Sequence, residues 1–83
     1  MSVIMQLKGA LAEKKQTRMD LSVRIDAKVK AVKDLLAVSA VTPVAELDLA
    51  AAALFVYEAL ELQKELKGVL LDIQRLGREL GNG

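Results

Sequence analysis

The second half of the chain repeats an apolar residue at alternating steps of four and three: Phe55, Ala59, Leu62, Leu66, Val69, Ile73, Leu76 and Leu80. A seam with this 3.5-residue period, sustained over more than three heptads, suits a helix that lays one stripe along a neighbouring helix. Glu58, Glu65, Asp72 and Glu79 each stand just before a seam residue, seven apart, with Glu61 on the same side. A charged flank beside an apolar seam is the arrangement by which paired helices choose their orientation. These features predict a long second helix and a helical partner for it.

The first half supplies that partner less regularly. Ile4, Leu7, Leu11, Lys14, Arg18, Leu21 and Ile25 keep a heptad with a charged middle, after which the stripe moves to Val29, Val32 and Leu36. That displacement reads as a stutter, which loosens a supercoil locally. Met19, Leu21, Val23, Ile25, Ala27 and Val29 also alternate with polar residues, the period of a half-exposed strand. No second strand-like run exists to pair with such a strand, and the Ala- and Lys-rich flanks continue as helix.

The boundary between the halves is Ser39-Ala40-Val41-Thr42-Pro43. Thr42 suits an N-cap and Pro43 the first helical position, where its missing N–H costs nothing. Glu46 and Asp48 follow where acidic groups favour the helix dipole, and Gly81-Asn82-Gly83 reads as a stop. The expected fold is all-α: residues 1–83 form one antiparallel, coiled-coil-like hairpin, with helices near 3–38 and 43–80 and a turn near 39–42. Pairing residue i with about 82 − i sets Lys14 and Arg18 near Gly68 and Lys64, within reach of Glu61 and Glu65. Residues 1–40 hold eight basic and four acidic side chains, and residues 41–83 hold four and seven. The near-neutral total is therefore the sum of a basic arm and an acidic one.

Leu49, Ala53, Val56 and Leu60 form a further apolar stripe, projected roughly 120° from the seam. One partner helix cannot cover both stripes. Farther along, the same line reaches Gln63 and Lys67, which confines the expected surplus to the half nearest the turn. A homodimer of two hairpins, forming an antiparallel four-helix bundle, would cover the stripe with a copy of itself. The run Ala50 to Ala53 supplies small side chains for a close approach. The other occupant that fits is a helical segment of a different protein.

Composition removes most chemistry. With no His and no Cys, the chain offers no Cys/His zinc site, thiol nucleophile, Ser-His-Asp relay or disulfide. Carboxylate di-metal sites in bundles add Glu-x-x-His pairs, absent here, so no metal or cofactor is expected. Gly9, Gly68 and Gly77 form no phosphate-binding pattern; close helix packing, or fraying beyond Gly77, is the expected reason for them. Lys14, Lys15, Arg18, Arg24, Lys28, Lys30 and Lys33 scatter around the helix without interleaved aromatics, an arrangement that argues against nucleic acid. No uncharged run reaches the roughly 18 residues a membrane span needs, and the first residues lack the pattern of a secretory signal, so a cytoplasmic protein is expected.

The sequence thus predicts a non-enzymatic interaction or assembly module, acting through self-association or capture of a partner helix. The competing expectation is a small nucleic-acid-associated protein using the basic first helix.

Overall fold

The computed structural model describes residues 2–81; Met1, Asn82 and Gly83 lie outside the described residues, so the stop signal at Asn82-Gly83 does too. Two long helices, α1 (Val3–Ala37) and α2 (Leu49–Gly81), pack side by side as an extended hairpin, with no strand among the described residues. The hairpin measures 63 × 18 × 14 Å, which is one helix thick and two wide. Residues 19–29, with their period-two alternation, lie within α1.

The helices meet along one line. Leu21, only 2% exposed, sits with Leu62 and Val69 at the centre, and Ile25, Leu66 and Ile73 pack around this group. Leu76 and Ala52 are the other buried residues, one toward each end. Of the α2 seam, Leu62, Val69 and Leu76 are buried, while Phe55, Ala59, Leu66, Ile73 and Leu80 are half-buried. No other α2 stripe is so consistently covered.

Three features of the hairpin differ from the expectation. The first is the start of α2, six residues after Pro43. Pro43 and Leu47 are both extended (ψ 142° and 136°) and bracket a single 3-10 turn, Val44–Glu46, so the chain turns once and straightens before the long helix begins. The cap is Asp48, whose carboxylate accepts the Ala51 N–H at 3.0 Å. An acidic residue at an N-cap satisfies an orphan amide and faces the positive end of the helix dipole, which a threonine does less well. With a second 3-10 turn at Val38–Ala40, the connection spans residues 38–48 instead of 39–42.

The second difference follows from the first. Lys14 meets Asp72 at 3.2 Å and Lys28 meets Glu58 at 3.4 Å, so residue i of α1 lies opposite about residue 86 − i of α2. The longer connection moves its midpoint to Pro43 and slides the register by four residues, about one helical turn. Neither Glu61 nor Glu65 therefore receives Lys14 or Arg18; Glu61 pairs with Lys64 on its own helix.

The third concerns α1 beyond Ile25. The inward positions continue through Lys28, Val32 and Leu35, all half-buried, while Val29 and Leu36 are each 40% exposed. There is no stutter. Lys28 holds a half-buried seam position, where its ammonium reaches Glu58 and stands 5.1 Å from the centre of the Phe55 ring.

A Cβ built at Gly9, Gly68 or Gly77 would meet nothing within 4 Å, so close approach of the two helices does not require these glycines. Replacing Gly68 with alanine should raise stability by about 0.5–1 kcal/mol in urea denaturation, since the helical backbone is kept and the unfolded chain loses freedom. Asp48→Ala should lower stability by about 1 kcal/mol and Thr42→Ala by much less. Equal losses at both positions would contradict the assignment of the cap.

Candidate interaction surface

The two broad faces of the hairpin carry different chemistry. On one, the groove between the helices is lined by Arg24, Lys28, Tyr57, Glu58, Glu61, Leu62 and Glu65. Three of its five charged residues are paired across or along the helices, and Arg24 and Glu65 form no ion pair among the described residues. Lys28 pairs with Glu58, Lys64 with Glu61, and farther along Asp72 receives both Lys14 and Arg75. These pairs are substantially exposed, and such contacts contribute about 0.2–1 kcal/mol each. Their effect is to fix register more than to add stability.

The opposite face is apolar near the connection. Val29, Val32 and Lys33 of α1 with Val56 and Ala59 of α2 line a hollow of about 350 Å³, and Ile25, Leu60 and Gln63 extend it along the helices. The second stripe of α2 borders this hollow. Leu49 is 54% exposed, Val56 53% and Leu60 44%, with Ala53 exposed between them. The hairpin alone thus leaves all four uncovered, and α1 adds Val29 and Leu36 to the same surface.

The surplus is not confined to this half. After Gln63 and Lys67 the face becomes apolar again, where Lys67, Leu70, Leu71, Ile73 and Gln74 line a shallow hollow of about 530 Å³ and Leu71 is 66% exposed. The signal is present in the spacing: Leu71 stands eleven residues, three full turns, beyond Leu60. Steps of three and four along the stripe run into the two polar residues before reaching it. Ile4 of α1, also exposed, lies on the Val29 side of its helix at this open end.

Of the basic residues of α1, Lys14, Lys28 and Lys30 are engaged by carboxylates of the hairpin, Lys30 by Asp34, while Lys15, Arg18, Arg24 and Lys33 form no ion pair among the described residues. Thr17 Oγ1 donates to the Glu13 carbonyl at 3.0 Å, a bond within its own helix. Among the described residues no group of carboxylates is gathered closely enough to hold a metal ion, and no helix is long and apolar enough to cross a membrane. Comparison of the chain with protein families, curated proteins and solved structures finds no match. The surface is therefore read from its own chemistry.

Lys28 offers a direct test of that chemistry. A double-mutant cycle between Lys28→Ala and Glu58→Ala should give a coupling below about 1 kcal/mol that shrinks as salt rises. Lys28→Ala alone should cost more than Glu58→Ala, because it also removes the ammonium that stands over the Phe55 ring. Equal single-site losses, or a coupling indifferent to salt, would count against this account.

Proposed function

We propose that the chain is a non-enzymatic assembly module that acts through self-association, two hairpins packing face to face as an antiparallel four-helix bundle. The observation that carries this reading is the uncovered stripe Leu49, Ala53, Val56 and Leu60, joined by Val29 and Leu36 across the groove. Five residues are buried among the described residues, in a chain that is 53% hydrophobic. A two-helix layer of this length must offset roughly 1.5 kcal/mol of ordering entropy per residue, and no disulfide is available to assist. Covering the apolar face adds about 25 cal/mol for each Å² of apolar surface removed from water. A second copy is the simplest cover because it brings the same surface with it.

The reading assigns separate tasks to the two stripes of α2. The seam Phe55 to Leu80 builds the subunit, and the stripe beside the groove joins subunits. A helix of another protein laid into the same groove would use the same side chains, and the two occupants differ in what the purified chain does by itself.

Sedimentation equilibrium at micromolar concentration should return the mass of a dimer. Val56→Glu should shift it to monomer while far-UV circular dichroism retains the helical signal, since Val56 lies outside the Leu21–Leu62–Val69 core. A wild-type chain that stays monomeric and fully helical at these concentrations would overturn the proposal and leave the groove to a partner helix.

A further inference from the structure

We infer that the second copy lies antiparallel over the full length of the hairpin, with the two-fold axis crossing a polar waist, so that the patch near the connection is covered by the open-end patch of the other copy. This rests on the self-association proposed above and specifies its geometry.

Area favours overlap along the whole face. Because residue i of α1 faces about 86 − i of α2, every position on the face can be given a level along the hairpin in α1 numbering. The patch near the connection, from Leu36 and Leu49 down to Leu60, occupies about twelve levels, roughly 18 Å at 1.5 Å per residue. Across a hairpin 18 Å wide, that patch placed on its own copy covers on the order of 300 Å² per subunit and 600 Å² in total, about half the minimum for a specific contact. Overlap along the whole face, about 50 Å, covers on the order of 1,800 Å², within the range of stable dimers.

Pattern points the same way. The face has three zones: the patch near the connection, a waist of Arg18, Ser22, Gln63 and Lys67, and the open-end patch with Ile4, Leu70 and Leu71. The waist is centred near level 20, and the two apolar patches lie at similar distances on either side of it. A two-fold axis through the waist, perpendicular to the helices, therefore exchanges apolar for apolar and leaves polar facing polar. It stacks α1 on α1 and α2 on α2. Leu60 then falls opposite Leu71 of the second copy, and Val29 and Leu36 fall within about one residue of Leu11 and Ile4.

The same alignment creates one complementary pair. Asp26, at level 26, comes opposite Lys15 of the second copy, and neither has an ion-pair partner within its own hairpin among the described residues. Lys33 comes near Lys8 of the second copy at the rim, where long stems keep both ammonium groups in water. If the axis instead crossed the connection-side patch, Lys67 and the open-end leucines would extend past the contact with nothing opposite them.

The chain has no cysteine, so a single spin label can be placed cleanly. The variant is Asp34→Cys, on the exposed outer side of α1, labelled and measured by double electron-electron resonance. Full-length antiparallel overlap separates the two labels by about 27 levels, giving a distance near 45 Å once the width of the bundle is added. A distance of about 20–25 Å, expected for patch-on-itself or parallel packing, would overturn the arrangement while retaining self-association. Absence of intersubunit coupling at micromolar concentration, with sedimentation reporting monomer, would overturn both. A second readout is a mixed disulfide: Leu60→Cys and Leu71→Cys chains, combined under oxidation, should cross-link with each other faster than either does with itself. Preferential Leu60→Cys homodimers would contradict the proposed axis.

Discussion

Two parallel cylinders touch along a line, and every property of this molecule follows from how little of each helix that line can cover. A helix offers its neighbour roughly a third of its circumference, so a two-helix layer buries one stripe per helix and leaves the rest in water. Here the line is carried by Leu21, Leu62 and Val69, with Leu76 and Ala52 nearer the ends. The apolar content of α2 exceeds what one line can use. Much of the excess gathers on one face, near the connection and again at the open end, while Leu54 and Tyr57 are exposed on the other side; that uneven distribution gives the surface a direction.

The two faces divide the charge as well. On the side of Glu58, Glu61 and Asp72 the carboxylates have lysines or arginines of the same chain against them. On the groove side, Lys33 and Lys67 border leucine and valine, with no ion pair of their own among the described residues. One face holds most of the ion pairs, together with Arg24 and Glu65, which form none among the described residues, and the other carries the two apolar hollows with Lys33 and Lys67 at their edges. The hairpin is thus two-sided although its fold is nearly symmetric.

Much of this architecture was legible in residue spacing. The alternating steps from Phe55 to Leu80 select the side of α2 that packs on α1, since those positions are all buried or half-buried. Legibility ended where a side chain acts against its class. Lys28 counts as charged in any pattern, yet it sits half-buried at a seam position with its ammonium against Glu58 and the Phe55 ring, and treating it as polar produces a false stutter at Val29. Thr42-Pro43 carries the composition of a helix start, but a single 3-10 turn uses it up, and Asp48 holds the cap five residues past Pro43. Local capping preferences rank such sites without deciding between them. The register error of one turn came from that choice, because in a hairpin the connection length sets every cross-helix pair at once.

The long connection also orders the energetics of assembly along the chain. Leu35 and Ala51, level with each other beside the connection, are separated by 16 residues, whereas Ala10 and Leu76 at the open end are separated by 66. Joining the distant pair first would cost about 1 kcal/mol more in loop-closure entropy than joining the near pair. Once the near pair is joined, each later pair closes only a small increment of chain. The hairpin is therefore built to zip from Pro43 outward and to fray from Val3 and Gly81 inward.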